Sequence, residues 1–286
     1  PEVNALMAGR VITAEMIAGF EEYLILEEKS TATVQKYIRD VKRFLAYAEN
    51  AAVTKETVIE YKKHLQKNYA VQSVNSMLAS INGLFSFLGR HDLRVKSLKV
   101  QQLIFRPEEK ELTKAEYLRL CRAAECRQNH RLSLILQTIC GTGIRVSELK
   151  YITVEAVRRG EAAVRCKAKT RSVFIVKELK QKLLRYAAEQ GIKSGMIFVT
   201  RTGEPISRTN IWREMKSLCE QANVNLQKVF PHNLRHLFAR VFYGIEKDIA
   251  KLSDILGHSS INTTRIYIVS TGTEHKKRME SMRLII

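Results

Sequence analysis

Apolar residues recur at spacings of three and four from residue 12 to residue 88, the period of helices that bury one face. Ile12, Met16, Phe20, Tyr23 and Leu24 share a face, with Glu15, Glu21 and Glu22 largely off it. The next stretch, STATVQKYIRDVKRFLAYAEN, opens on Ser30 and Thr31, residue types that cap helices. It then carries Val34, Tyr37, Ile38, Val41, Leu45 and Tyr47 in helical register. TKETVIEYKKHLQ repeats the plan with Thr54 as cap, and a fourth helix over about 71–88 carries Val74, Leu78, Ile81, Leu84, Phe85 and Leu88 before Gly89 stops it. Four helices with short connections predict a small bundle over residues 1–92.

The pattern breaks after this bundle. Residues 93–111, basic, holding Pro107 and lacking a sustained amphipathic face, predict an extended linker. A second domain is expected over 112–286. It opens on LTKAEYLRLCRAAE, where Thr113 and Glu116 have capping-box spacing. A largely apolar helix, RLSLILQTICGTG, ends in a glycine turn, and RVSELKYIT reads as helical again. EAAVRCKAKTRSVFIV places two apolar runs around a polar, basic KAKT, a β-hairpin signal. A helix over about 177–190, a short strand MIFVT, the turn RTGEP and further helices complete the chain. The expected fold is mainly α with one small antiparallel sheet.

Charge adds what the periodicity leaves out. The 286 residues hold 48 Lys plus Arg against 29 Asp plus Glu, a formal net charge of +19. A chain this basic meets a polyanion, of which nucleic acid is the commonest, although ribosome-associated and membrane-surface proteins share the balance. Residues 1–100 carry 14 basic and 11 acidic side chains, and residues 101–286 carry 34 and 18. The second domain therefore carries most of the attraction. Five cysteines, Cys121, Cys126, Cys140, Cys166 and Cys219, form no CxxC pair and are odd in number, against a zinc ribbon or a disulfide framework. Isolated thiols fit a reducing compartment, and no apolar run approaches the roughly 20 residues of a membrane span. The expected location is cytoplasmic, with no membrane partner.

Candidate chemistry is scattered along the second domain. In CGTGIRVSE, Gly141 and Gly143 lack a third glycine at 146, so a dinucleotide loop is excluded, and no GKS or GKT supplies a P-loop. Arg145 is left at a helix start after a tight turn; alone it reads as a surface or ion-paired residue. In PHNLRH, His232 and Arg235 lie three apart, on one face of a helix begun by Pro231. Such a pair can serve a phosphate, the guanidinium as a planar double donor and the imidazole as a proton carrier; a buried histidine beside a solvated arginine is the plainer reading. His232, His236 and His258 have no carboxylate at ligand spacing, so no metal is expected. Lys167 sits at the hairpin tip. His258 and Tyr267 fall within LGHSSINTTRIYI, a segment rich in small hydroxyl residues.

Taken together and in order, GTGIRVSEL, CKAKTRSVFIV, HNLRH and LGHSSINTTRIYI resemble the motifs of the tyrosine recombinase, or phage integrase, family, of Xer-like or mobile-element kind. The resemblance covers nearly the whole chain, including an N-terminal four-helix core-binding, SAM-like domain before the catalytic domain. It implies six catalytic residues: Arg145, Lys167, His232, Arg235, His258 and Tyr267. Aligned without gaps, Lys167 falls on the hairpin lysine; Cys166 and Ala168 stand where the family has glycines, which keeps Lys169 as the other candidate. The implied activity is site-specific cleavage and rejoining of double-stranded DNA through a 3′-phosphotyrosine, with Tyr267 as nucleophile, Arg145, Arg235 and His258 on the phosphate oxygens, Lys167 protonating the leaving oxygen and His232 taking the tyrosine proton. Glu148, three residues after Arg145, is expected to buttress it. No cofactor is implied. The implied assembly is a homotetramer on paired sites, monomeric when free, closed by a C-terminal tail helix over 274–286 docking on a neighbour. The role is integration or excision of a mobile element, or resolution of dimers. A type IB-like topoisomerase and a catalytically silent DNA-binding regulator of the same fold are the alternatives.

Overall fold

The structure, a computed structural model, describes residues 11–49, 52–99, 110–166, 169–268, 276 and 279–282, without the side chains of Cys166 and Lys169. Most of the expected 274–286 tail helix and of the linker after residue 99 lies outside the described residues. The chain divides into two compact units, Pro1–Gln102 and Leu103–Ile286.

The first unit is built on helices α1 (Ala14–Leu26), α2 (Thr31–Tyr47), α3 (Lys55–Asn68) and α4 (Val71–Phe87). Thr13, Ser30 and Thr54 begin the first three by accepting the backbone N–H of Met16, Thr33 and Thr57, which satisfies a donor that the helix cannot. At the end of α4, Gly89 takes φ +68° and the Arg90 N–H reaches the Phe85 carbonyl, a Schellman-type stop. Phe20, Val41, Phe44, Tyr61, Leu78, Ile81 and Phe85 fill the core. Met16, Tyr23 and Tyr47, on the predicted inner faces, remain more than a third exposed at its rim. Tyr23 and Tyr47 there lie against Phe87 and Tyr61, with centroids 5.2 and 5.0 Å apart.

Residues 93–98 stay with this unit. Leu93 and Val95 are buried in its core, and two amides one heptad apart on α4 hold the backbone beyond them. Asn82 exchanges both its hydrogen bonds with Val95, at 2.8 and 3.0 Å, and Asn75 does the same with Leu98 at 2.9 and 2.7 Å. A side-chain amide presents the donor and acceptor of a neighbouring strand, so the chain runs extended without a sheet.

The second unit contains α5 (Lys114–Cys126), α6 (His130–Thr142), α7 (Val154–Arg159), β1 (Glu161–Cys166), β2 (Lys169–Phe174), α8 (Lys177–Glu189), α9 (Arg208–Ser217), α10 (Pro231–Glu246), α11 (Ile249–Leu256) and α12 (Ile261–Ile268). The Thr113–Glu116 capping box forms in both directions. Helix α6 is buried over most of its surface, through Leu132, Leu134, Ile135, Leu136 and Ile139, with Ser133 and Thr138 buried among them, as a largely apolar helix must be. The hairpin pairs Glu161 with Phe174 through Cys166 with Lys169.

Two expected elements differ. RVSELKYIT forms a 3-10 helix, Val146–Tyr151, because Glu148 turns back to accept the Arg145 N–H at 2.9 Å and Thr153 caps α7 close behind. MIFVT makes only isolated bridges, Thr153 to Met196 and Val199 to Pro205. Ile197 and Phe198 are buried in succession, so the segment has no alternating face to offer a partner strand.

Candidate active site

The backbone turns in the second unit bring the scattered residues together. Helix α6 ends at Gly143 with φ +66°, where a Cβ would lie 2.5 Å from Phe238 Cδ1. Only glycine meets both conditions, and its carbonyl is thereby free to face α10. Arg235, on the second turn of α10 and 1% exposed, donates from Nη1 to that Gly143 carbonyl at 2.5 Å and from Nη2 to the Leu256 carbonyl at 2.6 Å. Two helix ends are thus tied to one guanidinium. Burial, then the neighbouring Arg145 charge, pulls its pKa down to about 10, which still leaves it cationic at neutral pH.

Nη2 of Arg235 also lies 3.0 Å from His258 Nε2. A guanidinium only donates, so Nε2 accepts, and the ring proton sits on Nδ1, which donates to Thr264 Oγ1 at 2.8 Å; this tautomer is assigned from the network. Burial, then Arg235 and Arg145, lowers the His258 pKa to about 4. The imidazole is therefore neutral and acts on Arg235 as an acceptor.

Tyr267, one turn after Thr264 on α12, is 5% exposed. Its hydroxyl lies 3.1 Å from His232 Nε2. The phenol ring stacks on His236 at 3.9 Å and 20°, with the His258 ring 5.0 Å away on centroids. His232 and His236 share a face of α10, so one helix supplies both a polar contact to the hydroxyl and a flat support for the ring.

Arg145 is held by Glu148, whose Oε1 accepts its Nη1 at 2.8 Å, while its Nη2 reaches the Gly257 carbonyl at 3.3 Å. Glu148 is 4% exposed. Burial opposes its ionisation, but the backbone N–H and side chain of Arg145 and the charge of Arg171 hold it below the usual carboxylate range.

Arg145, His232, Arg235, His258 and Tyr267 thus converge; Lys167 lies outside the described residues, as does the side chain of Lys169. Three groups at the site were not singled out as catalytic in the sequence: Thr264, His236 and Arg171. The first two carry helical signals, Thr264 at three residues from Tyr267 and His236 at four from His232. Arg171 shares the inward register of β2 with Val173, and an arginine in that alternation marks a buried ion pair. Among the described residues no cluster of three or more His, Cys, Asp or Glu is placed to hold a metal, and no helix is long and apolar enough to cross a membrane. A groove of about 780 Å³ lined by Tyr117, Cys121, Arg122, Lys182 and Tyr186 holds none of these groups.

A phenol hydroxyl against an imidazole nitrogen, with two guanidiniums close by, is an arrangement for transferring a phosphoryl group. Residues 110–274 match the phage integrase family and residues 17–92 the phage integrase N-terminal SAM-like domain. Tyrosine recombinase XerA of Thermococcus kodakarensis is 33% identical over 282 residues, covering 95% of this chain and 96% of the relative. The crystal structure of XerA recombinase superposes with a TM-score of 0.54 at 26% identity, over 95% of this chain and 99% of that one. A lambda integrase tetramer bound to a Holliday junction shares the fold, with a TM-score of 0.75 at 17% identity over 93% and 80% of the two chains. The chain belongs to the phage integrase family, the tyrosine-type site-specific DNA recombinases.

Proposed function

We propose that Tyr267 is the nucleophile of this recombinase and that the groups around it carry the remaining roles. The observation that carries the reading is the 3.1 Å contact of the Tyr267 hydroxyl with His232 Nε2, at the distance a general base needs. His232 takes the phenol proton as Tyr267 Oη attacks the scissile phosphorus. The bond to the 5′ oxygen breaks, and that oxygen leaves with a proton from Lys167. The product is a 3′-phosphotyrosine, which the 5′ hydroxyl of another strand reverses by the same steps. A tyrosine ester keeps the phosphodiester bond energy, so no nucleotide is consumed.

Arg145 and Arg235 neutralise the non-bridging oxygens as charge builds on them. His258 holds Arg235 in place through its acceptor nitrogen, and once protonated beside a bound phosphate it becomes a further donor. The partner is double-stranded DNA at a specific site, which a core-binding domain at 1–92 and a catalytic domain at 112–286 both bind. Four protomers hold the paired sites, as in the lambda integrase tetramer on its Holliday junction. The setting is the cytoplasm.

The test is a nicked duplex carrying a site selected from random sequence by the protein itself, so that strand loss traps any covalent product. Adduct should accumulate in excess EDTA without nucleotide, because arginine and lysine supply the charge a metal would otherwise supply. Adduct that appears only with magnesium would contradict the reading.

A further inference from the structure

Three separate parts of the site meet on Arg171. It extends from β2, the strand that leads away from the hairpin tip. Its Nη2 donates to Glu148 Oε2 at 2.6 Å, the carboxylate whose two oxygens also accept the Arg145 backbone N–H and Nη1. Its Nη1 donates to the Ile255 carbonyl at 2.8 Å, in the last turn before His258. Gly257, at φ +63°, passes so close that a Cβ there would lie 2.4 Å from Arg171 Cδ. The side chain is only 12% exposed. A carboxylate shared by two guanidiniums is held from both sides, and a backbone bare of Cβ lets the second guanidinium reach it.

We infer that Arg171 is a positioning residue: through Glu148 it fixes Arg145, and through Ile255 it fixes the turn that presents His258, so that the hairpin, Arg145 and the His258 turn are set as one unit. Without Arg171, Glu148 keeps only its bonds to Arg145 and loses the tie to the hairpin, and a displacement of about 1 Å at a reacting group costs roughly 100-fold in rate. The inference rests on the catalytic reading of Arg145.

Single-turnover adduct formation on the nicked duplex tests it, with site affinity by gel shift and thermal melting read on the same proteins. Arg171→Gln should cut about 100-fold more slowly while site affinity stays within about threefold. Arg171→Lys, which keeps the charge but one bond at a time, should fall between the two. If Arg171 acts through Glu148, the losses are not independent, and E148Q/R171Q should be no slower than the slower single variant. An R171Q rate within about threefold of the parent, or losses that multiply in the double variant, would overturn the proposal. Where R171Q fails to fold, an R171K protein that cuts at the parent rate does the same. R145A is run alongside: if it cuts at the parent rate, the catalytic reading falls and the coupling with it, whereas a slow R145A beside a fast R171Q removes the coupling alone.

Discussion

The two units of this chain solve the same packing problem with different materials. Among the described residues of the first unit the buried polar side chains are Asp40 and Ser80. Lys36 Nζ lies 3.1 Å from Asp40 Oδ2, and Ser80 donates to the same oxygen at 3.0 Å. Among the described residues the rest of that core is hydrocarbon and aromatic side chains, the Tyr61 hydroxyl buried with them, delivered by helical periodicity and begun by hydroxyl caps. The second unit buries Glu148, Arg235, His236 and Thr264 beside Tyr267, and it admits them by bringing backbone carbonyls to the arginine across turns that only glycine can make. Burying such charges is costly unless every donor finds an acceptor. The difference lies in what the burial serves: the first core is mainly apolar burial around one Lys36–Asp40–Ser80 cluster, whereas the second holds several buried charges that a more stable protein would replace.

Substitutions in the two cores should therefore fail in different ways. Arg235→Ala should raise the cleavage barrier by about 3–4 kcal/mol, the scale of a lost oxyanion donor, seen as a slow single-turnover adduct rate on saturating DNA. An unchanged rate would remove Arg235 from the chemistry and weaken the contrast. Leu78→Ala, in the first core, should lower unfolding stability by about 3 kcal/mol in urea titration, yet leave the adduct rate on bound site unchanged. A matching loss of rate would mean the first core also sets the reacting groups.

A smaller effect sharpens the contrast through pH. The folded-state pKa of His258 is depressed to about 4 from 6.5, so the unfolded chain binds the extra proton between these values. Stability from this residue is complete above about pH 6.5 and is lost as pH falls toward 4. The urea midpoint should drop across that window, and the drop should shrink in His258→Gln. An equal drop in both proteins would place the titration elsewhere.

Much of this architecture was legible in the sequence because its causes are local. The Thr113–Glu116 box, the KAKT hairpin and the four-helix periodicity each depend on residues within one or two turns, and each forms as expected. The convergence of Arg145, His232, Arg235, His258 and Tyr267 could be proposed only from the order of four motifs, since no single spacing links them. What stayed hidden depends on approach through space. His258 becomes an acceptor because Arg235, 23 residues before it, points at Nε2. Arg171 reaches the Ile255 carbonyl across 84 residues and needs Gly257 to be bare. MIFVT has strand composition but no strand beside it to pair with.

The account turns on Tyr267. Digestion of the trapped protein–DNA adduct, followed by mass spectrometry of the DNA-linked peptide, identifies the attached residue directly. The account predicts a single nucleotide-bearing peptide with the modification on Tyr267, and no adduct from Tyr267→Phe at unchanged site affinity. An adduct on another residue, or one formed by the Phe variant, would contradict it.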